Sequence, residues 1–232
     1  MKQFSFIASA FAGALMLATT AFATNAPYNW TGFYAGINAG GVNNSMDITD
    51  TEATSFQGTI QQVSDPAITG GFQGGYRRQL DLDTVSGVYG IEGSFNIANA
   101  QFSKQYGSPF ATYQFNANTS LKIVTLLEFT GGIAAGRTYL FLCGGLAWVR
   151  LNGQLNNVDS IGFFQSVNLN QDQFGHAIGA GIEYAFTDKI SARIKVDAIK
   201  PNTYTVTNNT GSSYEVSDSL VLGTLGVNYK FA

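Results

Sequence analysis

Apolar and polar residues alternate along this chain with a period of two. Residues 182–197 read IEYAFTDKISARIKVD. Ile182, Tyr184 and Phe186 alternate with Glu183. After a Thr187-Asp188-Lys189 turn, Ile190, Ala192, Ile194 and Val196 alternate with Ser191, Arg193, Lys195 and Asp197. Successive side chains of a strand point to opposite faces. The pattern therefore predicts a hairpin with one oily face and one charged face.

The same period recurs in eight segments: residues 30–40, 67–80, 85–100, 119–134, 138–152, 173–186, 190–200 and 219–231. Each is about 10–15 residues long, against about 5–6 for an ordinary soluble strand. Phe33 and Ile37 oppose Tyr34 and Asn38; Phe72 and Tyr76 oppose Gln73 and Arg77; Tyr89, Ile91 and Phe95 oppose Glu92 and Ser94. In the fourth segment Leu121, Ile123, Leu127, Phe129 and Ile133 oppose Lys122, Glu128 and Thr130, with Val124 and Leu126 blurring the alternation. Leu140, Leu142, Leu146 and Trp148 oppose Tyr139, Phe141, Cys143, Gly145 and Ala147; Leu225, Val227, Tyr229 and Phe231 oppose Gly226, Asn228 and Lys230. Long connections (41–66, 101–118, 153–172, 201–218) alternate with short ones (81–84, 135–137, 187–189). Long and short in turn is the rhythm of an up-and-down barrel elaborated at one end.

The polar face settles which solvent lies outside. A sheet bathed in water on that face would carry long solvating side chains. Here it carries glycines at 36, 75, 90, 132, 145, 179, 181 and 226, which fit a cramped interior. Its charges are mixed in sign: Glu92, Glu128, Glu183 and Asp197 against Arg77, Lys122, Arg193, Lys195 and Lys230. Buried charge is tolerable when paired, so these nine residues are expected to form a lumenal network. The apolar face then looks out at acyl chains. Only a closed barrel pairs every backbone group of a strand in a bilayer. Trp30, Tyr76, Trp148, Tyr184, Phe186, Tyr229 and Phe231 lie toward strand ends, where interfacial aromatic belts are expected. The expected fold is all-β: an eight-stranded antiparallel up-and-down transmembrane β-barrel.

Composition adds the compartment. Residues 1–23 carry one lysine, a long apolar run and an Ala21-Phe22-Ala23 cleavage site, the pattern of a secretory signal peptide. Residues 24–232 are then the barrel domain. No apolar run there reaches the about 18 residues of a transmembrane helix. Charged residues are 12% of the chain, Gly numbers 27 and Pro 4, against about 25% charged in a soluble domain. The acidic balance excludes nucleic acid as an expected partner.

Candidate chemistry is sparse. The chain has one cysteine, Cys143, and one histidine, His176. No nucleophile motif surrounds either, so no catalytic residue, cofactor or metal site is expected. The acidic residues of 41–66 lack the twelve-residue spacing of an EF-hand.

The motifs Trp30-Thr31-Gly32-Phe33-Tyr34-Ala35-Gly36, Val88-Tyr89-Gly90-Ile91-Glu92-Gly93, Gly179-Ala180-Gly181-Ile182-Glu183-Tyr184-Ala185 and the closing Val227-Asn228-Tyr229-Lys230-Phe231 resemble small outer-membrane barrels. These are the OmpA-like and opacity-protein-like surface antigens of Gram-negative bacteria, also called the porin family. The resemblance implies export to the outer membrane and both termini in the periplasm. It also implies a terminal aromatic signal, Tyr229 and Phe231, read by the barrel-assembly machinery; Ala232 follows where the family usually ends on the aromatic. The partners implied are outer-membrane lipid and a host surface or small ligand at the outer loops. The expected function is a structural and surface-interaction role, adhesin-like or antigen-like, through four long outer loops. A narrow passive channel is one alternative. A haemin-binding surface protein using His176 is another, and a soluble lipocalin-like barrel is a third.

Overall fold

The computed structural model describes residues 28–50, 59–63, 67–82, 84–108, 111–158, 164–168, 171–207 and 213–231. The expected signal peptide, residues 1–23, and Ala232 lie outside them. Every helix-or-strand element among the described residues is a strand: β1 (Gly32–Asp50), β2 (Thr59–Val63), β3 (Ala67–Leu82), β4 (Val85–Ser108), β5 (Ala111–Ala135), β6 (Thr138–Val158), β7 (Phe164–Asn168), β8 (Gln171–Ala185), β9 (Ile190–Pro201), β10 (Tyr204–Thr207) and β11 (Ser213–Lys230).

Eight of these close a ring in the order β1-β3-β4-β5-β6-β8-β9-β11. All neighbours are antiparallel, and β11 returns to β1 from Tyr34↔Lys230 to Asp50↔Tyr214. Closure leaves no free edge where the ring is complete. The lower end has tight turns. Gly136 makes the β5–β6 turn with φ of 58°, a conformation open to glycine at little cost. Thr187 Oγ1 accepts from the backbone N–H of Lys189 and Ile190 (3.2 and 2.9 Å) and shapes the β8–β9 turn. Arg137 Nη2 ties the two turns together through Asp188 Oδ1 at 2.9 Å.

The polarity is reversed relative to a water-soluble fold. Phe129 is 73% exposed and Leu142 68%, whereas Glu92 and Glu183 are 1% exposed. Leu146, Ile194 and Leu225 point outward while Arg193 lies inside. The outward apolar stretch runs from Leu140 to Trp148 on β6 and from Val221 to Tyr229 on β11. About nine tilted residues match the hydrocarbon thickness of a bilayer. Aromatic pairs edge the lower rim: Phe33 with Tyr76, Tyr184 with Phe186, and Tyr229 with Phe231, at 4.8, 5.0 and 5.5 Å between ring centroids.

Three expectations need correction. First, much of the expected long loops is strand. β4 and β5 stay paired out to Ser108↔Ala111, and β5 and β6 out to Gln114↔Val158. Period two marks a strand only where its two faces meet different solvents, so paired strand whose sequence lacks that contrast reads as loop. Second, Lys122 does not join the buried ion layer; it is only partly buried. The β5–β6 register shifts between Leu121 and Ile123, a bulge that turns Leu121 fully inward and leaves Lys122 without a partner on β6. Third, Trp30 is not in the interfacial belt; it is 3% exposed and sits inside the lower mouth.

Above the apolar band the ring divides. β3 leaves β4 after Thr69↔Ala98, and β8 leaves β9 after Gly175↔Pro201. The described residues continue as two separate four-stranded flaps, β4-β5-β6-β7 and β2-β1-β11-β10.

Candidate functional site

The interior is filled in layers. The lowest is aromatic: Tyr28, Trp30, Val88, Ala134, Tyr139, Phe141 and Ala185. Residues 28–31 precede β1 and fold back into the mouth. The Trp30 backbone N–H donates to Gln79 Oε1 (2.8 Å), and the Gln79 N–H donates to Thr31 Oγ1 (3.0 Å). Trp30 and Tyr139 rings lie 5.3 Å apart. Arg77 caps this layer, its guanidinium carbon 4.0 Å from the Tyr34 ring centroid and 5.3 Å from that of Tyr139, within cation–π range.

Above it lies an ion layer. Glu92 accepts from Arg193 Nη1 and from the Tyr34 hydroxyl, with Lys195 Nζ 3.6 Å from its other oxygen. Arg77 Nη2 is 2.8 Å from Glu183 Oε2. Glu183 also accepts from Ser191 Oγ and from Asn228 Nδ2 (3.0 Å). Lys195 binds Glu128 and sits 3.2 Å from Asp197 Oδ1. Asn38 Nδ2 donates to Gln73 Oε1 (2.6 Å), and Gln73 Nε2 donates to Asn228 Oδ1 (2.7 Å). With Cys143 Sγ 3.5 Å from Asp197 Oδ1, every strand of the ring contributes a side chain. Several of these pairs join strands far apart in sequence, as Arg193 joins Glu92.

The strand register explains why so much charge fits. Arg77 stands across from Gly90, Glu92 from Gly75, and Glu128 from Gly145. Asp197 stands across from Gly179, Lys195 from Gly181, and Arg193 from Gly226. Large beside small is how a narrow barrel fills its bore. At Gly145 a Cβ would collide with the Leu127 carbonyl of the neighbouring strand.

Of the nine residues expected in a lumenal network, the structure thus brings together Arg77, Glu92, Glu128, Glu183, Arg193, Lys195 and Asp197. Lys122 takes no part; the partner of Glu128 is Lys195. Lys230 also stands apart. It lies at the lower mouth, where Nζ donates to the Asn29 carbonyl (2.5 Å) beside the Tyr28 ring. Tyr229 and Phe231 are exposed on the outer face at the lower rim. His176 is exposed on the outer face, across from Leu146 and Lys200.

Sequence reasoning missed the third layer. Val42, Ala98, Leu121, Val124, Leu126, Ala147, Val149, Ala177, Ile199, Leu220 and Leu222 form one buried apolar cluster across the upper bore. Its signal was present: Val124 and Leu126 blur the alternation because both phases of β5 are apolar there. Above it, outside the membrane-spanning part of β11, Gln173 Nε2 donates to Asp218 Oδ2 (3.3 Å). Burial pushes the Asp218 carboxyl up to about 6, against hydrogen bonds from Gln173 and Asn44. At the outer surface Arg150 and Asp172 form a bidentate pair (2.7 and 2.9 Å) that holds the Asp172 carboxyl below its usual range.

A closed eight-stranded ring with lipid-facing aliphatics and a filled, ion-paired bore defines an integral outer-membrane β-barrel. Comparison with known proteins agrees. Residues 9–231 match the family model described as the outer membrane protein beta-barrel domain, and the chain belongs to that family. It is 28% identical over 240 residues to the 31 kDa outer-membrane immunogenic protein of Brucella melitensis, covering 97% of this chain and 95% of that one. The Brucella suis protein of the same name matches equally. Among solved structures, the outer membrane protein OprG from Pseudomonas aeruginosa superposes with a TM-score of 0.53 at 15% identity, covering 89% of this chain and 99% of that one. Neisserial surface protein A gives 0.37 at 13% identity, covering 87% and 98%.

Proposed function

We propose that this protein is a sealed outer-membrane anchor that acts at the cell surface, as an antigen-like or adhesin-like display platform. The observation that carries the reading is the contrast between bore and rim. The bore is blocked by aromatic, ionic and apolar layers in turn, and an eight-stranded barrel has room for side chains and little else. The rim is elaborated, with β4 and β5 running 24 and 25 residues. Binding on a rigid scaffold usually resides in such projections. The Brucella relative is named for its immunogenicity, which fits surface display here. Export by cleavage of residues 1–23, and recognition of Tyr229 and Phe231 during assembly, belong to the same reading.

Two measurements test it, one on intact cells and one on the purified protein. Antibody or protease applied to intact cells should reach the strand extensions. The purified barrel in a planar bilayer should give no stepwise conductance. A stable ion current through the wild-type protein would overturn the sealed-anchor reading in favour of the narrow channel.

A further inference from the structure

The ion layer does not balance. Four carboxylates, Glu92, Glu128, Glu183 and Asp197, face three cations, Arg77, Arg193 and Lys195, and all seven are buried. Leaving a buried charge uncompensated is strongly unfavourable. The excess falls at one corner. Glu92 and Glu183 each meet an arginine, whereas Glu128 and Asp197 share Lys195. Glu128 Oε1 is buried and has no hydrogen-bond partner. Cys143 adjoins: one donor atom from each of Glu128, Cys143 and Asp197 lies within 4.8 Å of the others. Gly179 keeps the corner open, since a Cβ there would collide with Asp197 Oδ1 and lie 2.9 Å from Cys143 Sγ.

We propose that this corner is a metal site for one divalent cation of the zinc class, held by the Cys143 thiolate and the Asp197 and Glu128 carboxylates. The 3.5 Å between Cys143 Sγ and Asp197 Oδ1 matches the roughly 3.5 Å between sulfur and oxygen ligands of a tetrahedral zinc centre. The charge closes as well. The metal brings two positive charges, the thiol releases one proton to solvent, and the one spare negative charge of the layer is cancelled. Lys195 keeps a partner, because Glu92 Oε1 already lies 3.6 Å from its Nζ. The apolar layer above and the aromatic layer below mean that loading occurs during folding, after which the ion is trapped. Sequence motifs are silent here because the three ligands come from β5, β6 and β9.

The test is to refold the full chain into detergent micelles with Co²⁺ or Zn²⁺ and then dialyse against chelator. Folding is verified by heat-modifiable gel mobility, and metal per chain is measured by mass spectrometry. The expected result is about one chelator-resistant ion per folded chain. The cobalt form should show a thiolate-to-metal absorption band, which only Cys143 can supply in a chain with one cysteine. Cys143→Ser should abolish the band, and Asp197→Asn should lower retained metal at least tenfold. Folded wild-type protein without retained metal or band overturns the proposal and assigns the spare charge to a bound proton. The wild-type result decides even where a variant fails to fold.

Discussion

Around Glu92 the barrel interior is held by ion pairs; higher up, around Leu126, it is held by apolar contact. Both layers fill the same narrow bore, yet they do different work. The ion layer is directional. Each large charged side chain but Glu183 is set against a glycine on a neighbouring strand, so only one register lets the groups meet. A one-residue slip would turn a strand's charges into lipid. The apolar layer carries no such code, but it excludes water from the ions below. The pairing is specific because it is polar, and strong because the layers above and below keep it dry.

The comparison breaks most readily in the ion layer. Arg193→Met should cost about 4 kcal/mol, because Glu92 is left buried with its main partner gone. The expected readout is a lower unfolding midpoint in urea, followed by gel mobility. Leu126→Ala should cost about 3 kcal/mol in the same assay by opening a cavity in the upper layer. It should leave the ion pairs formed, and equal losses with evidence of broken pairs would show that the layers are not separable.

A hydroxyl is a finer probe. Tyr34→Phe removes one hydrogen bond to a charged acceptor and should cost about 2 kcal/mol. The upper mouth gives a pH signature. The Asp218 carboxyl is raised in the folded state to about 6, so the native protein binds its proton more tightly than the unfolded chain does. Stability should therefore rise as pH falls through about 6 and level off near the ordinary carboxyl range. Asp218→Asn should flatten that dependence. Last, Arg150→Ala removes an exposed pair and should leave the midpoint unchanged at physiological salt, where such pairs are screened.

How much was legible follows from where the solvent differs. Phe33, Phe72, Ile91, Leu142 and Leu225 could be placed on the outer face because their neighbours Tyr34, Gln73, Glu92, Cys143 and Gly226 are of another kind. Leu121 and Lys122 could not, because a single inserted residue reverses the phase and leaves no mark in composition. The upper apolar layer was hidden for a related reason. Leu126 and Leu127 are both apolar, and only the register of β5 against β6 tells which faces the bore. The strand extensions were read as loops because their sequence lacks the two-residue alternation that marks a strand.

The sequence by itself determined that the strands are long, that their oily faces meet lipid and that charge is kept inside, since period-two contrast records the two environments directly. Tertiary structure decided which charges meet, which glycine makes room for which ion, and where the bore changes from ionic to apolar. Those outcomes depend on ring closure and inter-strand register, which join residues as distant as Glu92 and Arg193 and leave no local trace in the chain.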